Sequence, residues 1–347
     1  MIEKYKYKMI NTTGIPRLFH YMNRKKPVVL TYHGLFEGDV PKTGFLPSTF
    51  VHVENFAKQM AFIKKKYKVL TPQDLLDAVD RIKDLPDNAA LITFDDGYES
   101  FERLAWPVLK SMGLRAIVFI PTRYVEEKKI FWFDSIWYFL KVAPLEDVEF
   151  FWGLIGIDGK DQNIKSFSSH EIYKRMKSMS LEQRDKIIEN IMPCIMKQKC
   201  FDDKILRHFY SMTASGIKAL SSQGLAFGGH THSHTILSSL DYASVKKEIE
   251  INKKKIELIT AKSCDFFAYP NGGSKDFDSE HKRIIKQAGY KMAFSLTYKR
   301  SSIFKDQMDV SRINVNPEDT LDSMDYHNTG IIPIASKIFD HIKLATK

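Results

Sequence analysis

The stretch Leu91–Ser100, LITFDDGYES, sets two adjacent aspartates and a glycine at the end of an apolar run. From Ala89 to Phe94 the run has the length and uncharged, mostly apolar character of a strand buried on both faces, as in a parallel sheet. Asp95 and Asp96 then stand at its carboxyl end, where α/β folds gather their functional groups. Neighbouring buried carboxylates repel each other and lose hydration, so they persist only beside a cation or well-placed hydrogen bonds. A metal ion meets both needs.

Candidate partners for such an ion follow the apolar Leu225-Ala226-Phe227, in Gly228-Gly229-His230-Thr231-His232-Ser233-His234. Histidine is the commonest protein metal ligand near neutral pH. In an extended segment all three histidines share one face; in a helical turn His230 and His234 share it and His232 turns away. Thr231 and Ser233 suit a strand end or a helix cap, and the helical reading, with His230 and His234 as ligands, is preferred. A solvated polar loop is the plain alternative, and the Asp95-Asp96 pair weighs against it.

Outward from these two segments, strand-like runs alternate with amphipathic ones. Phe56, Met60, Ile63 and Tyr67 keep helical spacing, and Thr71-Pro72 starts the next helix before Leu75 and Leu76. Gly113 ends a helix, Ala116 to Ile120 reads as a strand stopped by Pro121, and Phe266–Tyr269 and Met292–Leu296 flank a helix from about Ser279 to Ala288. This alternation predicts a parallel sheet or barrel of the α/β class. Between Thr122 and Gly224 no barrel strand is evident, so a helical insertion is expected at about 123–223. In it Ser180-Leu181-Glu182-Gln183 reads as a helix start, followed by Ile187, Ile188, Ile191 and Ile195 at helical spacing. Its Phe131, Trp132, Phe133, Trp137, Phe150, Phe151 and Trp152 suit either the core of the insertion or stacking on sugar rings. The Lys- and Glu-rich segment 241–260 reads as a solvated helix face.

Two signatures resemble the polysaccharide deacetylases that share the NodB homology domain, carbohydrate esterase family 4. Thr93-Phe94-Asp95-Asp96-Gly97 matches that family's first motif, and His230 to His234 its second. Phe266 to Gly273, reading FFAYPNGG, looks like the third, and Leu30-Thr31-Tyr32-His33-Gly34 like the opening strand of one branch. The resemblance spans roughly Val28 to Val315 and implies an incomplete (β/α) barrel, with a basic extension at 1–26, the barrel over 27–330 and a tail at 331–347. It also implies that Asp96, His230 and His234 bind one divalent ion, zinc first, with cobalt or nickel also suited. Asp95 becomes the general base, and the backbone N–H of Asn271 the oxyanion donor.

The chain departs from the family at Ala268, where an Arg is common, and at Asn271, where a Tyr is common. Arg312 then becomes the candidate orienter of Asp95, with an ordinary surface arginine as the alternative. No Leu-x-His motif follows Val315, and His327 lies in a polar stretch. His33, ending an apolar strand as in permuted branches of the family, is therefore the expected acid for the leaving amine. The implied reaction is removal of N-acetyl groups from an amino sugar in a polysaccharide or its glycan or lipid-linked precursor, in cell-surface polysaccharide biosynthesis. An inactive carbohydrate-binding barrel, or an amidase acting on a small non-sugar amide, is the alternative.

Composition agrees with this reading. At 44% hydrophobic and 27% charged residues over 347 positions, the chain has enough apolar material for a sizeable core and is not of the disordered class. A net charge of +10 favours anionic polymers or membrane surfaces; without a recognised motif, nucleic acid is not expected. Cys194, Cys200 and Cys264 are too few for a disulfide framework, which favours a reducing compartment. The N-terminus lacks the continuous apolar stretch of a signal peptide, so a cytoplasmic location is expected. Ile130–Leu140, IFWFDSIWYFL, is too short to span a bilayer of about 20 residues' depth, though peripheral membrane contact there is compatible with it.

Overall fold

A computed structural model describes residues 2–38, 46–125, 130–157, 169–197 and 206–331; Cys200 and the expected tail from 332 onward lie outside the described residues. The strands are β1 (Val28–Tyr32), β2 (Leu35–Phe36), β3 (Val51–His52), β4 (Lys68–Val69), β5 (Ala89–Phe94), β6 (Ile117–Ile120), β7 (Ala226–Gly229), β8 (Phe266–Ala268), β9 (Met292–Ser295), β10 (Val310–Ser311) and β11 (Ile313–Asn314). The main sheet runs β10-β9-β8-β7-β6-β5-β1-β11, every pairing parallel, with β4 beside the start of β5. β10 and β11 are consecutive pieces of one segment, separated only by Arg312. One piece pairs with β9 and the other with β1, so a single short stretch brings the two ends of the sheet together and nearly closes it. The result is an incomplete (β/α) barrel with helical insertions.

Side chains alternate across the wall, as the period of a strand requires. Val29, Leu91, Ile117, Phe119, Met292 and Phe294 point inward and fill the barrel as one cluster. Their neighbours Val28, Leu30, Ile92, Val118 and Ala293 point outward into a second cluster shared with the surrounding helices. The double burial explains why the strands read as continuous apolar runs. Local signals seen in the sequence take form: Thr71 and Asp74 build a capping box with Pro72 at the helix start. Ser180 and Gln183 exchange side-chain-to-backbone hydrogen bonds at 3.2 and 2.9 Å.

Consecutive glycines end β7 because both faces are crowded. A Cβ on Gly228 would lie 2.6 Å from the Phe119 ring inside the barrel, and one on Gly229 2.5 Å from the Asn252 amide oxygen outside it. Between β6 and β7 the chain leaves the barrel for helices at Trp132–Val142, Leu145–Leu154, Ser169–Ser178 and Leu181–Lys197, which share their own apolar cluster. Helix Ala214–Ser222 belongs instead to the barrel, since Ile217 and Leu220 join the outer cluster. At the N-terminus, helix Ile2–Thr12 packs against helix Leu321–His327. In helix Ile15–Met22, His20 Nε2 lies 2.9 Å from Asp325.

The aromatic stretch Ile130–Leu140 serves mainly as core of the insertion. Phe131, Trp132, Ile136, Tyr138 and Phe139 are buried in the insertion, because their helix packs against Leu181–Lys197. Among the described residues no helix is long and apolar enough to cross a membrane.

Gly228→Val should lower the melting temperature by the equivalent of about 1–3 kcal/mol of overpacking, or prevent folding outright. Gly153→Ala, on a helix position with open space around it, should raise stability by up to about 1 kcal/mol. Calorimetry on the two variants checks the pair; a neutral Gly228→Val would mean that the Phe119 layer is loosely packed.

Candidate metal centre and active site

The inward alternation that fills the barrel also builds its mouth. Thr31 pairs with Thr93 across β1 and β5, so the next inward positions, His33 and Asp95, come up together at the rim. Immediately after Asp95 the chain reverses: Asp96 and Gly97 are both left-handed, each with φ of 68°, and the Gly97 N–H donates to the Asp95 carbonyl at 2.9 Å. A side chain at Gly97 would run into Ile120. The reversal sends the two neighbouring carboxylates in different directions, so each has its own set of partners.

Asp96 meets the histidines. Its Oδ1 lies 3.1 Å from His234 Nε2 and 3.5 Å from His230 Nε2, and one ligand atom from each residue falls within 4.8 Å of the others. The His230 Nδ1–H donates to the Ala268 carbonyl at 2.8 Å, which leaves the Nε2 lone pair toward Asp96. His232 turns away, its Nδ1 3.0 Å from the Thr122 hydroxyl. The segment, however, is not helical. Thr231 and His234 both have φ of 56°, and its N–H groups go to side chains instead of to carbonyls four residues back. Asn252 takes His230, Glu248 takes Ser233 and the Thr231 hydroxyl takes Thr235.

Asp95 points the other way, to Arg312. The guanidinium is wholly buried and grips both carboxylate oxygens, Nη1 to Oδ1 at 2.6 Å and Nη2 to Oδ2 at 2.8 Å. Its plane stands 5.3 Å from the centre of the Phe119 ring. Burial pushes the Asp95 carboxyl up, but Arg312 and then His230 outweigh it and hold it below its ordinary value. Burial likewise opposes ionisation of Asp96, and His234 and His230 hold it well below the carboxylate range.

The donor set suits a divalent ion. Two imidazoles and one carboxylate leave open positions, as catalytic sites do and structural ones do not. Among the described residues Asp96 Oδ1 and His234 Nδ1 are also buried without a hydrogen-bond partner, which is costly for the carboxylate unless a cation is its intended partner.

A cavity of about 400 Å³ opens over these groups, lined by His33, Asp95, Asp96, His230, His234 and Asn271 from the barrel. His33 presents a buried Nδ1 with no hydrogen-bond partner among the described residues. Asn271 is left-handed, φ 63°, and its side chain is held by Asp276 at 2.7 Å and Lys177 at 3.1 Å. His327 is elsewhere, 3.5 Å from Asp319 and against the Tyr7 ring. The insertion supplies the rest of the wall: Trp132, Phe133, Asp134, Trp137, Tyr173, Lys177 and Arg184. Of the aromatics singled out in the sequence, Trp132, Phe133 and Trp137 line the cavity, while Phe131, Phe151 and Trp152 are core and Phe150 is exposed outside it. Sequence reasoning missed Asn252, Glu248, Asp134, Lys177 and Arg184. Asn252 carries a signal in hindsight: it is polar, yet falls in register with the buried Val245, Ile249 and Ile256 of helix Tyr242–Thr260.

Comparisons with known proteins agree with this fold. A family model described as polysaccharide deacetylase matches residues 194–293. YxkH of Bacillus subtilis (strain 168), which is named as a polysaccharide deacetylase, is 29% identical over 112 residues, which is 31% of this chain and 37% of that protein. Among solved structures, the Streptococcus pyogenes deacetylase PplD, in complex with acetate, superposes with a TM-score of 0.56 at 16% identity over 86% of this chain and 96% of its own. A de-N-acetylase from Aggregatibacter actinomycetemcomitans does so at 0.57 and 14%, over 87% and 99%. IcaB from Ammonifex degensii gives 0.53 and 17%, over 88% and 97%. At these identities the structures establish the shared fold.

Metal analysis of the purified chain should find one divalent ion per molecule, lost on Asp96→Ala combined with His234→Ala and kept on His232→Ala. Stoichiometric ion in the double variant would remove this centre; greater loss in His232→Ala than in His230→Ala would overturn the assignment of His230 as the ligand and of His232 as turned away.

Proposed function

We propose that this chain, a relative of the polysaccharide deacetylases, is a metal-dependent hydrolase that removes N-acetyl groups from an amino sugar of a polysaccharide or its glycan precursor. The observation that carries the reading is the division of labour between adjacent aspartates: Asp96 faces two imidazoles, and Asp95 faces a buried arginine. Mixed nitrogen and oxygen donors suit zinc first, with cobalt or nickel also accommodated. When bound there, such an ion lowers the pKa of a water and polarises the acetyl carbonyl.

Asp95 is the general base. Arg312 keeps it ionised and fixes both oxygens, so it takes the proton of the attacking water without leaving its place. The backbone N–H of Asn271, in the left-handed turn after Pro270, is the donor for the developing oxyanion. His33, on the rim beside Asp95, returns a proton to the leaving amine. The aromatic faces from the insertion cover the apolar side of the sugar ring. In this reading residues 1–26 are an extension, 27–330 the catalytic barrel, with an insertion from about 123 that ends before helix Ala214–Ser222, and 331–347 a tail. A cysteine content too low for a disulfide framework supports a reducing, cytoplasmic setting, peripheral to the membrane where lipid-linked substrates would lie.

Release of acetate from N-acetylated glycans should stop with a chelator and return with the ion. Asp95→Asn should keep its metal and lose about two to four orders of magnitude in rate, as removal of a general base does. His33→Ala should lose most activity on an N-acetyl sugar and little on an aryl acetate, whose leaving group departs without a proton. Normal turnover by Asp95→Asn would make that residue structural and favour a binding barrel; equal losses on both substrates would take the acid's role from His33.

A further inference from the structure

Asp134 has no role in the chemistry above, yet it is the residue of the cavity wall hardest to explain by packing. It lies in the first turn of helix Trp132–Val142 but makes no cap there. It is 2% exposed and lines the metal cavity. Its Oδ2 accepts a hydrogen bond from the Tyr98 hydroxyl at 2.7 Å, and among the described residues no basic side chain pairs with it. Tyr98 is itself immobilised between the rings of Phe50 and Phe131, 4.9 and 5.0 Å away, so the carboxyl is held in a fixed direction. The preceding residue, Phe133, packs its ring 4.8 Å from that of His234. Burial, and beyond it the charge of Asp96, pushes the Asp134 carboxyl well above its ordinary range, against the pull of the Tyr98 hydrogen bond.

A carboxyl with one neutral partner, withdrawn from water, is costly where a leucine would fill the same space. Such a group is kept when a ligand supplies what the protein does not.

We propose that Asp134 is a specificity residue through which the insertion hydrogen bonds a hydroxyl of the sugar ring that carries the acetamido group. The inference rests on the hydrolase reading above and deepens it. A hydroxyl both donates and accepts, so it satisfies the free oxygen of Asp134 whether that carboxyl is protonated or not. Trp132 and Trp137, on the same helix, face the cavity with apolar rings that suit the C–H side of the same sugar. A small amide without hydroxyls would leave the second oxygen of Asp134 without a partner, which sites of this kind reject.

The test compares wild type, Asp134→Leu, Asp134→Asn and Tyr98→Phe, all as full chains with ion content measured. The probes are a panel of N-acetylated mono- and oligosaccharides, including chitotetraose, and p-nitrophenyl acetate. With metal stoichiometry kept, Asp134→Leu should lower kcat/KM about a hundredfold on the best sugar and no more than a few-fold on the aryl ester. Asp134→Asn, which keeps a hydrogen-bonding group in place, should recover at least about a tenth of the sugar activity. Tyr98→Phe should fall between them on the sugar alone. Full sugar activity in Asp134→Leu overturns the inference, as do equal losses on both probes in Leu and Asn variants alike. If the wild type hydrolyses the ester but none of the sugars, the functional reading itself fails, an outcome distinct from the other two.

Discussion

The pair between Arg312 and Asp95 constrains more of this molecule than any other contact. Burying a guanidinium and a carboxylate inside a barrel costs several kcal/mol for each ion, and attraction offsets that only with excellent geometry. Here the geometry is bidentate, with Phe119 beneath the guanidinium. The same residue sits at the seam: Arg312 N–H donates to the Ser295 carbonyl on one side, and three residues on Val315 N–H donates to Thr31 on the other. Closure of the barrel and orientation of the base are thus accomplished by one short segment. A change that opens the seam also releases the carboxylate, and a change that removes the carboxylate strands a buried charge at the seam.

The parts of this structure legible in the sequence are those set by local periodicity and by strand ends. Apolar runs marked β1, β5, β6, β7 and β9 because strands buried on both faces carry no charge, and Asp95, Asp96 and His230 followed just beyond the ends of β5 and β7. Arg312 was ambiguous because β10 and β11 are two residues each, too short for any period to show whether the residue between them faces in or out. Spacing brought His230 and His234 together correctly for an incorrect reason. A helical turn was inferred from four-residue spacing, but the N–H groups of that loop are taken by Asn252 and Glu248, which sit far along the chain on a helix that reads as lysine- and glutamate-rich surface. Side chains that reach across sequence in this way leave no local trace.

The insertion is more than a cover. Arg184 donates to the Thr235 hydroxyl, which shares a hydrogen bond with Ser233, which in turn meets Glu248. This chain of contacts runs from an inserted helix through the histidine loop to a barrel helix. The insertion therefore braces the loop that carries His230 and His234 as well as supplying the aromatic wall opposite. Asp134 stood in plain view as the one charge in an aromatic run, but an interruption of that kind reads equally well as a helix start, and only the cavity distinguishes the two.

Asp96 precedes the insertion, and His230 and His234 follow it. Folding must bring these residues together across that insertion, at an entropic cost that grows only slowly with the length enclosed. An ion that binds the folded form alone would offset part of this cost, and would do so more as free metal rises. The helices of the insertion, which contribute no ligand to the centre, would then owe part of their persistence to how much metal the surroundings hold.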